Sequence, residues 1–222
     1  EAGAYHTCAV KTSGEVLCWG YNGYGQLGDG ATTSRNAPTT VSGLSTGGRA
    51  VSAGYYHTCV LSTLGGVVCW GANESGQLGD GTTTIRTILV GVSGLTSGVA
   101  SISAGGYHTC AMSATGGAKC WGANMYGRLG DGTTTTRLTP VDVTGLTAGV
   151  ASLEGGALHS CGLLANGGVK CWGYNGWGQI GDGSTTDRNT PTNVLGLAGG
   201  EGASAAGARR VAAGEAHACA VT

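Results

Sequence analysis

The sequence predicts an all-β fold, a β-propeller built from 51-residue repeats, and three observations carry the prediction. Cysteines at 8, 59, 110 and 161, and again at 18, 69, 120 and 171, recur with a single 51-residue period. The apolar stretches are short, alternate with polar residues and are separated by turn residues. No segment sustains the 3.6-residue periodicity that a helical solenoid would need. Several short strands in each period of roughly 40 to 50 residues are the pattern of a propeller blade.

The same step is kept by His6, His57, His108 and His159, by Trp19, Trp70, Trp121 and Trp172, by Asp29, Asp80, Asp131 and Asp182, and by Arg35, Arg86, Arg137 and Arg188. The chain therefore reads as one repeat array over 1–222, with units at about 1–51, 52–102, 103–153 and 154–211 and a partial unit at 212–222. GGEGASAAGARR adds a seven-residue excess before AGEAHACAV restarts the pattern with His217 and Cys219.

Within a unit, HTCAV and EVLCW alternate and are joined by KTSG, which predicts an antiparallel hairpin. Cys8 and Cys18 are ten residues apart, so the hairpin sets them opposite each other around the loop Thr12-Ser13-Gly14. Opposed residues lie within the separation a disulfide tolerates. The expected pairs are Cys8–Cys18, Cys59–Cys69, Cys110–Cys120 and Cys161–Cys171, with Cys219 unpaired. Two alternatives stay open: packed thiols, or a metal held by each His and its two cysteines, as in His6, Cys8 and Cys18. Bridges would imply an oxidising compartment outside the cytosol.

The remaining fixed residues read as structural. A catalytic His–Cys pair would occur once, whereas this one recurs in every unit, so the imidazole reads as buried and tying one blade to the next. Asp29 and its copies lie in D-G-T-T-like turns with too few carboxylates for a calcium loop, and read as turn residues paired with arginine. The tryptophans read as blade core resting on the disulfides. Gly23, Gly25 and Gly28 spell G-x-G-x-x-G, yet no helical pattern follows, and two other units lose the first glycine, so the match is turn chemistry rather than a nucleotide loop.

What changes between units is more informative. The tips of the N-x-x-G-x-(Leu/Ile)-G-D-G loops and the residues before each histidine (Ala4 and Tyr5 in the first unit) vary while the frame holds. They are rich in aromatic residues, which supply contact area at low entropic cost. The candidate binding face is Tyr21, Tyr24, Tyr55, Tyr56, Tyr107, Met125, Tyr126, Tyr174 and Trp177.

Composition narrows the functional classes. A formal charge of −1 and three lysines offer no basic face for nucleic acid. No apolar run reaches the length of a membrane span. Residue 1 is Glu, so the chain reads as a processed or partial product. No cofactor is called for.

The motifs AGxxHTC, CWG and N-x-x-G-Q-L-G-D-G, read here in SAGYYHTCVL (52–61) and VCWGANESGQLGDG (68–81), resemble the repeats of the regulator of chromosome condensation family. The resemblance implies a propeller of seven four-stranded blades, of which this chain holds about four, the rest coming from a longer protein or from other copies. The cysteines make it similar to a secreted prokaryotic branch that includes inhibitors of β-lactamase. The expected function is an extracellular, non-catalytic binding or scaffold module for a protein or cell-surface macromolecule. Alternatives are a structural subunit of an extracellular ring, filament or envelope, self-assembled through open repeat ends, and a secreted enzyme or enzyme inhibitor.

Overall fold

The computed structural model describes residues 1–197, 199 and 207–222, within which seventeen strands form five antiparallel sheets. The first sheet orders β1 (His6–Val10), β2 (Val16–Gly20) and β3 (Arg35–Thr40), with Ala2 bridging Thr7 at its edge. Three four-stranded meanders follow. They are β4 (Gly48–Ala53) to β5 (His57–Ser62), β6 (Val67–Gly71) and β7 (Arg86–Gly91); β8 (Val99–Ala104) to β9 (His108–Ser113), β10 (Ala118–Gly122) and β11 (Arg137–Asp142); and β12 (Val150–Gly155) to β13 (His159–Leu164), β14 (Val169–Gly173) and β15 (Arg188–Asn193). Strands β16 (Arg210–Ala213) and β17 (Ala218–Val221) pair at the end. The architecture is all-β and made of about four repeats. Most of the expected seven-residue excess, at 200–206, lies outside the described residues.

Local chemistry sets the hairpin register. Lys11 N–H donates to Glu15 O at 2.8 Å and Gly14 N–H to Lys11 O at 2.9 Å, closing the three-residue loop. Gly14 sits at φ 83°, a backbone state costly for any residue with a Cβ. Cys8 then faces Cys18 at a Cα–Cα distance of 4.2 Å, and the two are joined by a disulfide, as are the equivalent pairs at 4.1 Å.

Each blade's core is completed by the blade after it. Trp70, fully buried, belongs to one cluster with Cys8, Cys18, Leu27, Val41 and Leu44 of the preceding sheet. Trp121 joins Cys59, Cys69 and Leu78, and Trp172 joins Cys110, Cys120 and Leu129. The tryptophans thus rest on a neighbour's disulfide rather than on their own. Gly28 is required at this seam, since it sits at φ 70° and a Cβ there would lie 2.7 Å from Trp70 Nε1.

A polar relay crosses the same seam. Thr58 Oγ1 donates to Gln26 O at 2.8 Å, and Trp70 Nε1–H donates to that carbonyl at 2.8 Å. With its one proton so used, Thr58 accepts from the His6 ring, whose Nε2 lies 2.8 Å away, which assigns the Nε2–H tautomer. The relay recurs through His57, Thr109, Gln77 O and Trp121, and through His108, Ser160, Arg128 O and Trp172. Burial lowers the pKa of His57 to about 3 and of His6 to about 4, so the rings are neutral donors near neutral pH.

Candidate functional site

Because His57 pairs with Gly71, the turn before β5 and the long loop after β6 emerge at the same end of the blade, and every unit repeats this. The long loop is held from inside by one asparagine. Asn22 is fully buried, and its Nδ2 lies within bonding distance of Asp29 Oδ1 (3.2 Å), Ala31 O (3.1 Å) and Thr33 O (3.1 Å). Its Oδ1 accepts Leu27 N–H at 2.9 Å. Asn73, Asn124 and Asn175 do the same.

Asp29 fixes the other side of the loop. It accepts from Ala31 N–H at 3.0 Å and from Arg35 Nε at 2.8 Å. Burial pulls its pKa up, but these bonds outweigh burial and hold it below the usual carboxylate range. With the backbone so fixed, the tip side chains carry little of the loop's stability.

Those tips form an aromatic strip. Tyr5 stacks on Tyr56 at 5.0 Å between ring centroids, and Tyr21 and Tyr24 close around Tyr56. Tyr56 meets Tyr55, and Tyr55 meets Tyr107 edge-on at 5.4 Å. Further along the array, Tyr126 packs on Tyr174 and Tyr174 on Trp177, at 4.9 and 5.3 Å. Between the two groups lies a cavity of about 530 Å³ lined by Tyr107, Met125 and Tyr126 among others, so it bridges them. Met125 and Trp177 are 69% and 68% exposed, high values for such large apolar side chains.

All nine residues of the expected face thus lie at this end, and they fall into two groups joined by the cavity. Tyr5 was seen as variable but not placed in the face, because its stack on Tyr56 spans two blades. Arg128 was missed altogether. Its signal was a single departure in a fixed frame, since the other units carry Gln26, Gln77 and Gln179 there.

A second cavity, of about 330 Å³, lies where the inner strands converge, and its walls are largely Gly and Ala. Glu154 faces it with a carboxyl that burial, then Glu1, pushes up to about 7, while Arg210 opposes. The metal alternative has no geometry to stand on. The paired sulfurs bind each other, His6 is engaged by Thr58, and no group of three or more His, Cys, Asp or Glu among the described residues could hold an ion.

Fold and face together define a tandem array of propeller-type blades with a fixed loop frame and variable aromatic tips. The repeat model described as the regulator of chromosome condensation (RCC1) repeat matches residues 13–61, 65–112, 119–163 and 166–221. The chain belongs to this family.

Among curated relatives it is 34% identical to the human probable E3 ubiquitin-protein ligase HERC4 over 87% of this chain and 19% of that protein. It is 34% identical to the ultraviolet-B receptor UVR8 of Arabidopsis thaliana over 88% of this chain and 45% of that protein. It therefore spans less than half the length of either. Among solved structures, human WBSCR16 aligns with a TM-score of 0.86 at 24% identity, over all of this chain and 56% of that one. Prp20p of Saccharomyces cerevisiae aligns at 0.82 and 20% identity, over 98% and 54%. These two likenesses bear on the fold alone.

The relatives correct the expected setting. The curated relatives and yeast Prp20p are eukaryotic nuclear or cytoplasmic proteins, so the likeness to a secreted prokaryotic branch and the extracellular or cell-surface placement are withdrawn. The extracellular assembly, the secreted enzyme or inhibitor and the cell-surface partner are withdrawn with them. The error was physical. Strand register sets cysteines ten residues apart side by side in any hairpin of this kind, so their being neighbours does not by itself report on compartment.

Proposed function

We propose that the chain is a non-catalytic protein-binding module that engages its partner through the aromatic strip. The observation that carries this reading is the contrast within three of the four long loops, where an Asn–Asp–Arg network around a buried Asn fixes the backbone while large aromatic tips stand partly in solvent. Binding sites are preferentially built from loops on rigid scaffolds, and Tyr and Trp dominate the energetics of protein interfaces. Relatives offer support by analogy. Yeast RCC1 (Prp20) has been crystallised with Kap60, and Prp20p is described with its binding to Gsp1p and histones.

We also propose that the array forms part of a closed seven-bladed ring, a reading supported by its spanning 56% and 54% of the two solved chains. The described sheets leave such a ring open.

The test of the face is a triple variant, Tyr24→Ala, Tyr126→Ala and Trp177→Ala. Proteins captured by the immobilised wild-type chain are quantified by mass spectrometry beside those captured by the variant. Each truncation of an interface aromatic of this kind costs about 2 kcal/mol or more, so specific capture should fall at least about tenfold. Unchanged capture by a variant with an unchanged circular dichroism spectrum would remove the face.

A further inference from the structure

Arg128 breaks the repeat at one position: it puts a buried charge where the other units carry a neutral amide, and it removes the acceptor that amide supplies, while an unpartnered donor nitrogen is shared with Gln26 and Gln179. In the other units the glutamine Oε1 accepts a backbone N–H two residues earlier: Tyr24 N–H to Gln26 at 3.0 Å, Ser75 N–H to Gln77 at 2.9 Å and Trp177 N–H to Gln179 at 3.0 Å. Arginine carries no acceptor, so Tyr126 N–H loses that bond. Arg128 is only 3% exposed, and its Nε has no hydrogen-bond partner among the described residues. One guanidinium nitrogen reaches Ala157 O at 3.4 Å, and the group lies 5.5 Å from the centroid of the Tyr126 ring. None of the ion pairs among the described residues includes Arg128. It lines the 530 Å³ cavity between the two aromatic groups, and no Asp or Glu shares that lining.

A buried cation without a counter-charge is unfavourable when left alone and strongly favourable once an anion arrives in good geometry. We propose that this cavity is a specificity pocket in which Arg128 and Tyr126 N–H receive the side-chain carboxylate of an Asp or Glu on the protein partner. The planar guanidinium suits a carboxylate's two oxygens, and Met125 and Leu158 supply apolar walls for the stem that carries it. A monoanion balances the one cation present, whereas a phosphate dianion would leave a buried negative charge. The pocket rests on the binding-face reading and assigns the partner's chemistry at its centre.

The test uses the 222-residue chain, ¹⁵N-labelled, titrated with acetyl-Leu-Glu-amide, with acetyl-Leu-Gln-amide and with inorganic phosphate. The expected result is that the Arg128 Nε–H and Tyr126 N–H signals move together and saturate with the Glu peptide, at about tenfold or greater preference over the Gln peptide. Arg128→Gln restores the residue the other units carry, so it keeps the fold and should abolish the preference. Failure to saturate, equal binding of both peptides, tighter binding of phosphate, or a preference that survives in Arg128→Gln each overturns the pocket. Partner capture that depends on Tyr24, Tyr126 and Trp177 but not on Arg128 would remove the pocket and leave the face standing.

Discussion

Position 218 shows how much one hydroxyl does at a blade seam. Thr58, Thr109 and Ser160 each link a histidine of the preceding blade to a backbone carbonyl, but the equivalent residue in the last pair of strands is Ala218. His159 Nε2, buried, has no hydrogen-bond partner among the described residues. Ala218→Thr should therefore stabilise the chain by about 1 kcal/mol, seen as a higher urea midpoint at unchanged slope. Ala218→Val, equal in shape but without the oxygen, should give no such gain. At this scale the sequence was legible where a letter repeats, and harder to read where one letter departs. The histidines, the cysteines and the Asp–Arg pairs could be assigned structural roles from recurrence alone. Arg128 could not, because a lone change from Gln looks like surface drift until burial and the lost oxygen acceptor are seen together.

Elements divide into those that hold the frame and those displayed on it, and the two respond to mutation differently. Trp121 is fully buried, fills the preceding blade's core and donates to Gln77 O at 2.9 Å. Trp121→Ala should cost about 3–5 kcal/mol, measured by chemical denaturation. Met125→Ala, a few residues along the same unit at an exposed tip, should change stability by less than about 0.5 kcal/mol. The hairpin register was legible because a ten-residue Cys spacing and a three-residue loop ending in glycine allow one pairing. The seam between blades was only half legible. Sequence places Trp among apolar residues, yet only the stacking of sheets shows that those residues belong to the preceding sheet.

Four of the array's five histidines, His6, His57, His108 and His159, are buried, and this fixes a pH response. The pKa of His6 and His159 is lowered to about 4 and that of His57 to about 3, chiefly by burial, and burial also holds His108 well below the usual imidazole range. Unfolded imidazoles titrate near 6.5, so as pH falls from there toward the folded values the unfolded chain takes up protons that the folded chain does not. Stability is thus full above about pH 6.5 and is lost by up to about 1.4 kcal/mol per pH unit for each ring. Melting temperature should be level between pH 7 and 8 and drop steadily between pH 6 and 4. A level profile down to pH 4.5 would contradict neutral burial. At this scale the repeat period foretold the array. The cellular setting was misread, because cysteines set side by side record which strands are neighbours and do not by themselves say where the molecule resides.

The tryptophan seam also imposes an order in time. The cluster around Cys8, Cys18 and Leu27 is closed by Val60 and Trp70, which a ribosome makes some fifty residues later. A growing chain therefore finishes each blade only as the following one emerges, and folding trails synthesis by one repeat. In nascent chains halted at successive lengths, protease resistance of a blade should appear when its successor's tryptophan clears the exit tunnel, not when its own last strand does.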